Sequence, residues 1–192
     1  MKRVGVLALQ GDFEAHSRAV ARAGAKPVLA RAASDLEDLD GLVIPGGEST
    51  TMLKLLNAEG MVEPLVEFGR KRPIFGTCAG AILLASEVTH PAQQSLALMD
   101  LTVERNGYGR QIDSRVAQLT PEPAFAQRTH AGELEAVFIR APIIRHVGSD
   151  VHVLATYQGD PVLVEQGRHL VATFHPELSS DPRVHELFVS KL

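Results

Sequence analysis

Short apolar runs separated by amphipathic stretches organise the first half of the chain. Val4–Leu9 predicts a buried strand, and the stretch from Asp12 to Ala23 repeats its apolar positions at helical spacing before stopping at Gly24. Pro27–Ala30 and Leu42–Ile44 read as further strands, the latter ending at Pro45-Gly46-Gly47. Ser49 or Thr50 is placed to cap a helix running to Ala58, and Gly60 stops it. Another helix is predicted from Met61 to Arg70, with Pro64 in its first turn, where a missing N–H costs nothing. Pro73–Gly76 is a fourth strand and Ala79–Ser86 a helix directly after it. Wholly apolar strands alternating with helices imply a mostly parallel sheet covered on both faces, an α/β fold of three layers.

The pattern changes in the second half. Leu101–Glu104, Val137–Arg140, Val151–Gln158, Pro161–Glu165 and His169–Phe174 read as strands with few helices between them, and Gln166-Gly167-Arg168 as a tight hairpin connection. Residues 118–135 are polar, contain Pro121 and Pro123, and read as a surface excursion. A last helix is expected over Pro182–Leu192. With no repeat or linker visible, residues 1–192 are expected to form one domain whose parallel sheet carries an antiparallel extension.

Composition narrows the function. The chain has 192 residues, of which 45% are hydrophobic and 22% charged, as in an ordinary globular protein. A net charge of -4 with scattered basic residues argues against a nucleic-acid partner. Arg70-Lys71-Arg72 reads as a solvated helix end. No apolar run approaches the ~20 residues that span a bilayer, and Gln10-Gly11-Asp12 interrupts the N-terminal apolar stretch before it can resemble a signal peptide. A single cysteine cannot form an internal disulfide, which favours a reducing compartment, the cytoplasm. The eight histidines show no metal-ligand spacing, so neither metal nor cofactor is expected.

That one cysteine sits in Gly76-Thr77-Cys78-Ala79-Gly80, between an apolar strand and a helix. The G-x-nucleophile-x-G pattern is that of a nucleophile elbow, in which small flanking residues let strand and helix approach closely. The N-terminus of the following helix favours a thiolate, and the Ala79 N–H is placed to stabilise an oxyanion. A lone cysteine is otherwise most often a small buried hydrophobe. His175-Pro176-Glu177 follows another apolar strand. In extended backbone, His175 and Glu177 share a face, so the carboxylate can orient the imidazole as in a catalytic triad. Taken alone, a His-x-Glu is more often a surface pair.

In conjunction, these two motifs resemble the class I glutamine amidotransferases, which carry a Cys-His-Glu triad on a flavodoxin-like fold. Six blocks resemble one subfamily, the glutaminase subunit of pyridoxal 5'-phosphate synthase. They are Gly5–Gly11, Ile44–Thr51, Gly76–Gly80, Arg105–Gln111, Val137–Pro142 and Phe174–Leu178. The resemblance implies hydrolysis of L-glutamine to L-glutamate and ammonia, with a barrel-shaped synthase subunit using the ammonia to build the vitamin B6 cofactor. It further implies Cys78, His175 and Glu177 as the triad, and Gly46, Gly47 and Glu48 in the glutamine site. The N–H groups of Gly47 and Ala79 would form the oxyanion hole, while Arg105, Ile139 and Arg140 would hold the amino-acid end of the substrate. A buried arginine fork would suit that carboxylate; without the resemblance, surface salt bridging is the default for both arginines. Gln10-Gly11 and the first helix, including Glu14, are the expected docking surface, because sites assemble at the ends of parallel strands. Two other readings stay open: a glutaminase subunit serving a different synthase, and a scaffold of this fold without catalysis.

Overall fold

The computed structural model describes residues 1–106 and 115–192. Its main sheet has seven strands in the order β10-β11-β12-β4-β3-β1-β2. These are β1 (Arg3–Leu7), β2 (Lys26–Ala30), β3 (Gly41–Ile44), β4 (Ile74–Thr77), β10 (His152–Tyr157), β11 (Asp160–Gln166) and β12 (His169–Ala172). From β2 to β12 the pairing is parallel, whereas β12, β11 and β10 run antiparallel. The expected α/β architecture with an antiparallel extension is therefore observed.

Residue alternation explains how both faces are buried. Leu42, Ile44, Ile74 and Val171 join one apolar core, packed with Met52, Leu56, Leu65 and Leu83 from α2 (Ser49–Ala58), α3 (Val62–Lys71) and α4 (Ala79–Leu84). Their immediate neighbours Val43, Phe75, Leu170 and Ala172 point the other way, into a core shared with Val20 of α1 (Phe13–Arg22) and Val184, Leu187 and Phe188 of α6 (Arg183–Val189). Successive side chains of a strand face opposite sides, so all-apolar strands are what a sheet covered twice requires.

Several boundaries differ from those expected. The helix after Cys78 ends at Leu84, and Ser86 belongs to β5 (Ala85–Thr89), which joins β6 (Met99–Glu104) and β9 (Ile143–Val147) in a second sheet. Residues 118–135 are not an irregular excursion. They include the end of β7 (Arg115–Leu119), α5 (Pro123–Arg128) and the start of β8 (Leu134–Phe138), and β7 and β8 form a separate ribbon. In β7 only Leu119 is buried, so its sequence carries little alternation to read. Arg183 secures this region from α6: its guanidinium donates to the carbonyls of His130, Gly132 and Glu133 and to Asp181. Of the Arg105–Gln111 block, Gly107–Gln111 lie outside the described residues. Among the described residues no helix is long and apolar enough to cross a membrane.

Candidate active site

The C-terminal ends of β1, β3, β4 and β12 converge on Cys78. Its backbone N–H bonds to Ala172 of β12 at 2.9 Å, and its φ of 49° and ψ of -103° lie outside the regions a non-glycine residue ordinarily adopts. The flanking glycines make the turn possible. A Cβ at Gly80 would lie 2.1 Å from the Ile44 carbonyl oxygen, and one at Gly76 would lie 2.5 Å from that of Gly80. A larger residue at either position would push α4 off the strands.

His175 is anchored by its backbone N–H to the Val137 carbonyl at 2.8 Å, and its Nδ1 lies 2.7 Å from Glu177 Oε1. An ionised carboxylate only accepts, so Nδ1 carries the proton and Nε2 is left for the sulfur. The neighbouring pair forms by a route other than the extended backbone expected, since Pro176–Leu178 is a 3-10 turn with His175 as its N-cap. Proline at the first turn position favours that geometry. Burial by itself would lower the His175 pKa. Hydrogen bonds to Cys78 and Glu177, with the negative charge of both, outweigh it and raise the imidazole to about 10. The Cys78 Sγ also lies 3.9 Å from the Ile139 carbonyl.

The β3 turn closes the other side. A Cβ at Gly46 would stand 2.6 Å from His175 Cε1 and 3.4 Å from Cys78 Cβ, so this turn lies directly against the ring and beside the cysteine side chain. Gly47 has φ 148°, and Gln10 Oε1 accepts from the Glu48 N–H at 3.2 Å. Glu48, rather than Ser49 or Thr50, caps α2, accepting from the N–H groups of Thr50 and Thr51 at 3.0 and 2.7 Å. Its partial burial opposes ionisation, but the hydrogen bonds from Thr51 and Thr50 hold its carboxyl near 2. Arg105 Nη2 reaches Thr50 Oγ1 at 2.6 Å and Glu48 Oε1 at 3.5 Å. A cation and an anion thus stand together beside the turn, a pairing that matches a zwitterionic α-amino acid. Neither arginine is a fully buried fork. The Arg105 side chain is 14% exposed, and Arg140, with φ 45°, is exposed. Ala79, 1% exposed, opens α4 immediately after the sulfur.

Sequence reasoning missed a layer behind Glu177. His16 of α1 is fully buried, 3.2 Å from Glu177 Oε2, 3.0 Å from Thr77 Oγ1 and 3.0 Å from His185 Nε2. The available signal was a histidine on the apolar stripe of a helix, among Ala15, Ala19 and Val20. No group of three or more potential ligands suited to a metal ion occurs among the described residues.

Residues 6–192 match the SNO glutamine amidotransferase family. The pyridoxal 5'-phosphate synthase subunit PdxT of Solibacter usitatus (strain Ellin6076) is 65% identical, with both chains covered completely. Its counterpart in Koribacter versatilis (strain Ellin345) is 54% identical over 97% of this chain and 94% of the relative. A crystal structure of a glutamine amidotransferase superposes with a TM-score of 0.89 at 43% identity, covering 98% of this chain and 97% of the other. With residues 6–192 matched and a relative 65% identical along the full length, the chain belongs to the SNO glutamine amidotransferase family.

Proposed function

We propose that this chain is the glutaminase subunit of a pyridoxal 5'-phosphate synthase: it hydrolyses L-glutamine to L-glutamate and ammonia and hands the ammonia to a barrel-shaped synthase subunit. The observation that carries this reading is the contact chain Cys78–His175–Glu177, with the Glu48–Arg105 pair beside it. The relatives named PdxT, one of them 65% identical along the full length, supply the choice of synthase.

The reaction follows from the proton positions. A His175 that holds its proton up to about 10 is the cation a Cys78 thiolate requires. The thiolate attacks the side-chain carboxamide carbon of glutamine, and the oxyanion is met by the N–H groups of Ala79 and Gly47. Imidazolium then protonates the departing nitrogen, and ammonia leaves a γ-glutamyl thioester on Cys78. Acylation neutralises the sulfur, which removes the hydrogen bond and charge that raised His175 most. The ring can now take a proton from water, and hydroxide attack frees glutamate and restores the thiolate. One residue serves as acid and then as base because its neighbour changes charge between the half-reactions.

Glu48 and Arg105 hold the α-amino and α-carboxylate groups, with Ile139 and Arg140 closing the far side. Losing one oxyanion donor typically costs ~10²–10³ in rate, so the peptide at Gly47 is a natural control point. Gln10 bonds the adjacent N–H, and a Cβ at Gly11 would lie 1.8 Å from the Gly46 carbonyl oxygen. A synthase resting on Gln10, Gly11 and α1 would therefore act on the oxyanion-forming backbone. A sheltered handover also keeps ammonia from protonation in bulk water. In the cytoplasm, the reducing milieu keeps Cys78 unoxidised.

The test is ammonia release from glutamine by the purified chain, with and without its synthase subunit. Activity is expected to be low alone and to rise in the complex. Absence of hydrolysis in both would overturn the assignment, and equal stimulation by an unrelated synthase would overturn the choice of partner.

A further inference from the structure

Three buried side chains behind Glu177 take no part in the steps above: His16 from α1, His185 from α6, and Thr77 at the end of β4. Exposure is 0%, 1% and 0% respectively. Glu177 is an acceptor at both oxygens. Oε1 is committed to His175, while Oε2 is buried without an aligned hydrogen bond, and His16 Nε2 stands 3.2 Å from it. A lone pair on Nε2 would repel that oxygen, so Nε2 bears the hydrogen, bonded to the Thr77 hydroxyl 3.0 Å away with its positive end beside Oε2. Nδ1 of His16 is then an acceptor, and His185 Nε2, 3.0 Å from it, must donate. One carboxylate thus dictates the tautomers of two further imidazoles.

We propose that His16 is a positioning residue for glutamine hydrolysis: held by His185 in its neutral Nε2–H tautomer, it presents a donor that keeps Glu177 turned toward His175. The inference rests on the glutaminase reading. Its chemistry requires His16 to stay uncharged, because a second cation beside Glu177 would compete with His175 for the same carboxylate. The surroundings enforce this. Burial first, then repulsion from His185 and His175, hold the His16 pKa well below its ordinary value. Burial, aided by Arg22, lowers His185 to about 3. The ionisable groups facing the carboxylate are then His175, at the start of the 3-10 turn, and His16 of α1, with His185 of α6 behind His16 and Arg22 acting on His185. Phe75 lies edge-on to both inner rings, 6.3 Å from His16 and 5.5 Å from His185 between centroids, which excludes water from the relay. Neutral donors in a site of low polarity act strongly on a buried anion.

Two measurements test this. The first is ¹⁵N NMR of the wild-type chain with labelled histidine, which needs no turnover. His16 and His185 are expected to remain neutral with the proton on Nε2 from pH 5.5 to 8. A charged His16, or a proton on its Nδ1, would overturn the proposal. The second compares His16→Phe with His16→Gln in the complex with the synthase subunit. Phenylalanine keeps the ring volume but removes the donor. Glu177 then loses the donor facing its second oxygen, and kcat is expected to fall ~10-fold. The loss falls on kcat, with KM for glutamine little changed, and the glutamine side-chain N–H recovers part of it. An unchanged kcat in His16→Phe, or equal loss in both variants, would overturn the proposal. If His16→Phe does not fold, the tautomer measurement decides. A failure of the underlying reading would look different, since the wild type itself would then hydrolyse no glutamine.

Discussion

Replacing Glu177 with glutamine changes one oxygen into an NH₂ group at a place where two acceptors are needed. Glu177 is 6% exposed, and its oxygens face two ring nitrogens, His175 Nδ1 at 2.7 Å and His16 Nε2 at 3.2 Å. With the amide oxygen toward His175, the NH₂ meets the His16 N–H, donor against donor. In the reverse orientation the NH₂ faces Nδ1, which must give up its proton and hold one on Nε2, the nitrogen that has to receive the thiol proton. A wrong tautomer of this kind costs ~10⁴ in kcat in a serine triad. Because His16 can relieve part of the conflict by changing tautomer, a loss on the order of 10³–10⁴ is expected here, or about 4–5.5 kcal/mol in the barrier. The His175 pKa should also fall from about 10, since one of the groups raising it loses its charge, and the basic limb of the rate profile should move down. The assay is steady-state glutamate formation by the complex with the synthase subunit across a pH series. KM for glutamine should stay near the wild-type value, because Glu177 touches no part of the substrate. Turnover within tenfold of wild type, with an unmoved basic limb, would refute the orienting role.

Three further outcomes are expected. Gly46→Ala places a methyl group 2.6 Å from His175 Cε1, on a ring held by Glu177 and a backbone held by the Val137 carbonyl, so kcat/KM should fall by ~10² while thermal unfolding stays cooperative; activity within threefold would show that the β3 turn can yield. His169 and His185 have folded pKa values of about 4 and about 3, burial being the first cause for both, below the ordinary 6.5. The unfolded chain therefore binds more protons between those values, so stability present above pH 6.5 is lost as pH falls toward 4, by up to about 1.4 kcal/mol per pH unit for each histidine; a urea midpoint unchanged between pH 7 and pH 4.5 would contradict this. Arg183→Met strands Asp181 and the carbonyls of His130, Gly132 and Glu133, and should destabilise the chain by about 3–5 kcal/mol in urea denaturation; a loss below about 1 kcal/mol would indicate that water replaces the guanidinium.

The parallel half of the fold was legible because each of its strands is buried on both faces, and uninterrupted apolar runs such as Leu42–Ile44 have no other stable use. The β7–β8 ribbon was not, since β7 buries only Leu119 and leaves Val116 62% exposed, which erases the alternation that marks a strand. The elbow around Cys78 could be read because its two glycines are demanded by backbone approach, a local requirement written into local sequence. The pairing of His175 with Glu177 was also foreseen, though a 3-10 turn and not a strand creates it, because proline at the first turn position fits either geometry. Glu48 as the α2 cap was obscured by the hydroxyl residues following it, which are commoner caps. His16 stood out in sequence only as a histidine on an apolar helical stripe, which gives it no role. Its partners Glu177 and His185 lie more than a hundred and fifty residues away, and only the packing of α1 against the 3-10 turn and α6 brings them together.

The most direct test is whether Cys78 becomes acylated. The complex with the synthase subunit would be quenched in acid during glutamine turnover and its peptides analysed by mass spectrometry. A glutamyl adduct is expected on the peptide carrying Cys78. It should be missing from Cys78→Ala, which should fold normally and release no ammonia. Wild-type ammonia release by that variant, or a glutamyl adduct on any other residue, would contradict a thioester mechanism at this cysteine.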